Sequence, residues 1–96
     1  MSATPKTLLA LAGAPATPSP LDSAALVLID AQREYTEGAL PLVGVEAAVA
    51  EATHLLERAR KAGTPVFHIV HHGKPGGPLF NPEGSLSGIV APLIPL

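Results

Sequence analysis

Asp30 closes an uninterrupted apolar run, Ala24-Ala25-Leu26-Val27-Leu28-Ile29, and the pair His71-His72 closes a second one that begins at Thr64. A carboxylate flanked by apolar side chains loses hydration, which disfavours its charged form and lets it donate or accept a proton near neutral pH. The abrupt change from apolar to acidic at Asp30 favours that chemistry over simple capping of a turn. Imidazoles at His71 and His72 are the other proton carriers. Adjacent residues of an extended chain face opposite ways, so only one of the two reaches a given pocket. His68, inside the second run, reads as a core histidine with its ring nitrogens satisfied. His54 reads as a solvated helix residue. Asp30 with His71 or His72 is the pairing from which a metal site would have to start, and no metal is expected there.

Other chemistries lack their residues. The chain has no cysteine, so thiolate nucleophiles, thiolate metal sites and disulfides within it are excluded. Asp30-Ala31-Gln32 has no second aspartate, and none follows Asp30 anywhere, which argues against an aspartyl-phosphate reaction. Neither G-x-G-x-x-G nor a P-loop pattern occurs, so no nucleotide cofactor is expected. Six Lys and Arg against eight Asp and Glu, a net charge of -2, give no basic stripe for nucleic acid. No stretch approaches the roughly 20 apolar residues of a membrane span.

Three elements must position these groups. The run ending at Asp30 is short, apolar throughout and partly β-branched, the pattern of a parallel strand buried on both faces. In residues 44–62, Val45, Ala48, Val49, Ala52, Leu55, Leu56, Ala59 and Ala62 recur every three or four positions, which is one face of a helix. Glu46 in its first turn and Arg58, Arg60 and Lys61 in its last suit the helix dipole, and Glu57 is spaced to pair with Lys61. Gly63 offers a left-handed cap and Pro65 blocks continuation. Residues 64–71 form the second strand, with Pro65 at its start. Strand, helix, strand is a βαβ unit with parallel strands, so Asp30 and His71-His72 share one rim, where open parallel sheets bind ligands.

The flanks are rich in glycine and proline. Residues 13–20 read as a linker, and residues 73–84 as a loop. Residues 6–12 faintly resemble a signal peptide. Their short apolar core and the interruption at Pro15 favour instead a lead-in helix ending at Gly13, with Leu8, Leu9 and Leu11 docked on the domain, and a cytoplasmic location. Ile89 to Leu96 is apolar, but Pro92 and Pro95 argue against a central strand and nothing in the chain is an evident partner for it. With 96 residues, the chain is one small domain or part of one. One helix leaves one face of a two-stranded parallel sheet bare, so part of the expected architecture is missing.

The segment Leu26-Val27-Leu28-Ile29-Asp30-Ala31-Gln32-Arg33-Glu34-Tyr35 resembles the opening strand of isochorismatase-like hydrolases, a family that includes nicotinamidases and other amidohydrolases. The signature is an apolar strand ending in Asp-x-Gln with an aromatic three residues later, here Tyr35 where Phe is more usual. The resemblance continues through Gly38-Ala39-Leu40-Pro41-Leu42, the helix from Val45, and Thr64-Pro65-Val66-Phe67-His68-Ile69-Val70-His71-His72. It implies a Rossmann-like three-layer α/β/α fold around a parallel sheet, of which residues 21–96 are the N-terminal half and residues 1–20 a lead-in and linker. It further implies hydrolysis of an amide, another C–N bond or a vinyl ether in a small molecule, with Asp30 as the catalytic aspartate. Gln32, Tyr35 and His72 are then the substrate-binding candidates. The lysine and cysteine of the amidohydrolase branch have no counterpart here, so residues 1–96 by themselves are expected to be inactive. The metal-binding branch has Asp-x-His after its second strand where this chain has His71-His72-Gly73. The partners implied are a small-molecule substrate and either a complementary C-terminal half or further copies of the chain. A non-catalytic remnant that binds a partner chain or a small molecule is the competing reading.

Overall fold

The structure is a computed structural model that describes residues 4–96. In chain order it contains helix α1 (Leu8–Leu11), strand β1 (Leu26–Ile29), helix α2 (Val45–Ala62) and strand β2 (Val66–Ile69). Single 3-10 turns lie at Leu21–Ser23, Arg33–Tyr35, Ser85–Ser87 and Ala91–Leu93. The two strands pair in parallel, with Leu26 opposite Val66 and Ile29 opposite Ile69. The architecture is α/β, with α2 on one face of the sheet.

Helix α2 runs where its apolar period places it. Gly63 ends it in the left-handed conformation, φ 73°, and the Gly63 N–H returns to the carbonyls of Ala59 and Arg60. A side chain with a Cβ is disfavoured in that conformation, which is why glycine stands there. The buried stripe centres on Leu56 and Ala59, flanked by Val49 and Ala52. Ala48, Leu55 and Ala62, expected on the same face, are exposed. Glu57 and Lys61 do not form their ion pair; among the described residues the one ion pair joins Arg33 to Glu37.

Four further expectations are corrected. Both strands are shorter than their apolar runs. β1 starts only at Leu26, whose N–H reaches the Pro65 carbonyl, because Pro65 has no N–H with which to extend the ladder towards Ala24, and β2 stops at Ile69, because both backbone groups of His71 are taken by the side chain of Gln32. β1 is buried on one face rather than two. Leu26 and Leu28 pack towards Leu56, while Val27 and Ile29 of β1 and Phe67 and Ile69 of β2 are 45%, 63%, 56% and 52% exposed. Third, the lead-in helix is a single turn, and its leucines do not dock. Leu8, Leu9 and Leu11 are 84%, 72% and 68% exposed. Fourth, the apolar C-terminal segment does have a partner. Val90 and Leu93 join Leu56 in the core, and the Ala91–Leu93 turn lies against α2. Proline is compatible with that placement because a 3-10 turn at the sheet margin needs no ladder donor from it.

The core is thus built from three parts: the inward side of the sheet, the α2 stripe and residues 89–93. Thr64 ties in a fourth, its hydroxyl donating to the Leu21 carbonyl at 2.6 Å. His68, on the sheet side facing this core, is not satisfied as expected. Both of its ring nitrogens are buried without a hydrogen-bond partner.

Candidate functional site at the strand ends

At the end of β1 the backbone turns sharply. Asp30 has φ 57°, in the left-handed region where non-glycine residues are uncommon and Asp and Asn are the best tolerated. Its N–H still reaches the β2 carbonyl of Ile69 at 2.8 Å, and its own carbonyl accepts the Gln32 N–H at 2.8 Å. The strand pairing therefore persists up to Asp30 and breaks there. Conformational strain of this kind gathers at functional positions because the surroundings must hold it in place.

Gln32 does the holding. It is 1% exposed. Its Nε2 donates to the carbonyls of His71, at 2.7 Å, and Ser87, at 2.8 Å, and its Oε1 accepts the His71 N–H at 2.9 Å. Both amide hydrogens are used, so Gln32 has no donor left for a substrate. It acts instead as a strut joining the end of β2, the segment after β1 and the Ser85–Ser87 turn. The backbone completes the junction: the Arg33 N–H donates to the Gly88 carbonyl and the Val90 N–H to the Ala31 carbonyl, each at 2.9 Å.

Glu34, which the sequence reading passed over, is the second strut. Its carboxylate is almost fully buried, with Oε2 accepting the Ala39 N–H and Oε1 the Phe80 N–H, both at 2.8 Å. Those two backbone donors, Ala39 the larger, hold its carboxyl below the usual carboxylate range against the opposing effect of desolvation. Gly38 makes room: a Cβ there would lie 2.1 Å from Glu34 Oε2. Phe80 has φ 49°, and its carbonyl accepts the Gly73 N–H at 2.8 Å, closing the loop of residues 73–80. The Phe80 ring meets Tyr35, centroids 5.2 Å apart, and the His71 ring edge-on at 5.0 Å. A lone Glu beside no apolar period gives no sequence signal. The nearest hint was Gly38 four residues on.

The sequence candidates thus divide. Asp30, Gln32, Tyr35 and His71 converge on the rim through the contacts just described. His72 lies exposed one residue beyond, with no hydrogen bond from its side chain among the described residues. No cluster of three or more His, Asp or Glu side chains forms among the described residues. A groove of about 470 Å³ lies elsewhere, between the Arg33–Tyr35 turn, α2 and residues 89–94, and Asp30 does not line it.

Comparison with known proteins gives a consistent picture. The isochorismatase domain model matches residues 24–95. The secreted isochorismatase effector Isc1 of Verticillium dahliae is 43% identical over 81 residues, which is 84% of this chain and 42% of the effector. The crystal structure of an isochorismatase from Pseudomonas putida superposes with a TM-score of 0.83 at 42% identity, over 97% of this chain and 47% of its own. A second solved structure, from Burkholderia xenovorans, reaches 0.63 at 28% identity over 73% of this chain and 35% of its own. The chain spans about half the length, or less, of each of these three relatives.

Proposed function

This chain belongs to the isochorismatase domain family, and from that premise we propose that it carries the Asp30 half of a hydrolase site acting on an amide, another C–N bond or a vinyl ether of a small molecule. The observation that supports this most is the backbone at Asp30. It is an acidic residue in the left-handed conformation at the carboxyl end of β1, held there by strand pairing on one side and the Gln32 strut on the other.

The chemistry asked of Asp30 is proton transfer. In vinyl-ether cleavage its acid form protonates the terminal vinyl carbon, water adds to the resulting oxocarbenium carbon and returns a proton to the Asp30 carboxylate, and the hemiacetal collapses by breaking its bond to the alcohol oxygen, giving a carbonyl compound and the free alcohol. In amide cleavage Asp30 takes a proton from a nucleophile and passes it to the leaving nitrogen. Because residues 1–96 contain no cysteine, a thiol nucleophile, and the lysine that accompanies it in the family, would come from outside them. Gln32 acts as a positioning residue, and Tyr35 and His72 are the candidates for contact with the substrate.

The test is a fusion. Residues 1–96 joined to the second half of the Pseudomonas relative should hydrolyse a member of a panel of isochorismate-type vinyl ethers and carboxamides. Asp30→Asn in that fusion should keep the fold and lower the rate by about 10²–10⁴-fold. Near-full activity of the Asn variant would reduce Asp30 to a turn residue.

A further inference from the structure

Among the described residues, two that are not glycine adopt the left-handed conformation, Asp30 at φ 57° and Phe80 at φ 49°. Aspartate is among the side chains best tolerated there, whereas a bulky aromatic is not. Glu34 holds Phe80 in place. Its Oε1 accepts the Phe80 N–H at 2.8 Å, while the Phe80 carbonyl accepts the Gly73 N–H at 2.8 Å. A Cβ on Gly73 would lie 2.2 Å from the Leu79 carbonyl oxygen, so the neck of the loop closes only on glycine. Unfavourable backbone persists where its surroundings over-determine it, and it gathers at sites that need a side chain aimed.

Burying a carboxylate costs desolvation, and neither N–H that Glu34 accepts belongs to a strand or a helix. The loop of residues 73–80 already closes through its Gly73–Phe80 bond. What Glu34 adds is aim. It sets the Phe80 ring against Tyr35, centroids 5.2 Å apart, and against His71 at 5.0 Å. Its Oε2 on the Ala39 N–H, and its own carbonyl on the Leu40 N–H at 3.2 Å, fix the stretch that follows Tyr35. The Tyr35 carbonyl in turn accepts the Leu42 N–H at 3.1 Å. Tyr35 is thus gripped between two segments that Glu34 ties together. Every one of these contacts lies inside residues 34–80, so the arrangement draws on no bare surface.

We propose that Glu34 is a positioning residue of the Asp30 site: by holding Phe80 and Ala39 it fixes the Tyr35 ring for contact with the substrate. The substrate contact rests on the hydrolase reading; the placing of the ring does not. Glu34 itself is 2% exposed, with both oxygens engaged by backbone N–H groups, so it meets no substrate and carries no proton in the reaction. Its effect therefore falls on binding, read in KM, whereas that of Asp30 falls on kcat.

Tyr35 is the single tyrosine of a chain without tryptophan, so its ring protons report on this cluster free of overlap. In the 96-residue chain, Glu34→Gln should weaken the cross-relaxation between the Tyr35 and Phe80 rings and leave the α2 amide resonances in place. In the fusion with the second half of the Pseudomonas relative, Glu34→Gln should raise KM about tenfold and lower kcat by less than about threefold. Phe80→Leu, which keeps an apolar side chain without the ring, should raise KM similarly, and the double variant should do no more than either single one. A role in stability alone would instead reduce the folded fraction, lowering kcat at constant KM. A Glu34→Gln chain that fails to fold, cross-relaxation that is unchanged, additive effects of the two substitutions, or a loss confined to kcat would each overturn the proposal. A fusion that hydrolyses nothing would sink the hydrolase reading and with it the substrate contact, while the ring cross-relaxation would still decide whether Glu34 places Tyr35.

Discussion

Glu34 and Gln32 show how two buried polar side chains replace secondary structure where a site needs irregular backbone. Each spends its hydrogen-bonding capacity on main-chain groups 39 to 55 residues away, apart from the local bond to Ala39. Truncating such a group strands buried donors and acceptors, which costs more than the bond itself contributes. The Glu34 carboxyl is lowered on folding by the Ala39 and Phe80 N–H groups. A depressed folded value means that its stabilising contribution is present above the unfolded value, about 4.3, and is lost as pH falls through the folded value. Glu34→Gln keeps the shape but turns an amide N–H towards one of the two donors. Urea denaturation across pH 3–7 should therefore give a lower midpoint for the variant at pH 7 and a flatter fall below pH 5. The exposed Arg33–Glu37 pair adds little to that slope, since solvent screens it. His68 is the opposite case. Its ring nitrogens are buried unpaired, so His68→Leu removes an unsatisfied polar group. It should leave stability unchanged or raise it by about 1 kcal/mol in the same titration.

At the scale of elements, what could be read from the sequence was whatever a short window encodes. Helix α2 was legible because an apolar period of three and four positions, a glycine and a proline all lie within 22 residues. The parallel strand order was legible from the strand–helix–strand sequence. The strand lengths were not, because β2 ends where Gln32, 39 residues earlier, takes the His71 backbone. Asp30 was legible as an apolar-to-acid junction, but its left-handed backbone was not, since that depends on its neighbours in space. The segment after Ile89 was opaque for a related reason. Its two prolines exclude a ladder strand, and only the packing against Leu56 of α2 shows how Val90 and Leu93 are buried. Leu93 is 1% exposed against Leu56. Leu93→Ala should then cost about 2–5 kcal/mol, in the range of buried leucine truncations. A thermal melt showing no loss would mean that residues 89–96 do not belong to the core.

At the scale of the whole molecule, the open sheet face connects the fold to the length of its relatives. Val27, Ile29, Phe67 and Ile69 form an exposed apolar face on a parallel sheet, an architecture that ordinarily has both faces covered. The chain spans 47% of the Pseudomonas structure that it matches so well. If the remaining half of such a domain lies on this face, the same substitution must have opposite consequences in two settings. In the 96-residue chain, Phe67→Ser and Ile69→Ser replace exposed apolar groups. They should leave the melting temperature nearly unchanged, reduce binding of an apolar dye and improve solubility. In the fusion with the relative's second half, those side chains pass from water into a packed interface. Each is then worth about 1.5–3 kcal/mol of burial, and their replacement should destabilise the fusion by at least that much. The comparison needs both proteins measured under one set of conditions, by dye fluorescence and by denaturation. Equal, small effects in both would mean that the second half packs elsewhere, and that the face bearing Phe67 and Ile69 serves some other contact.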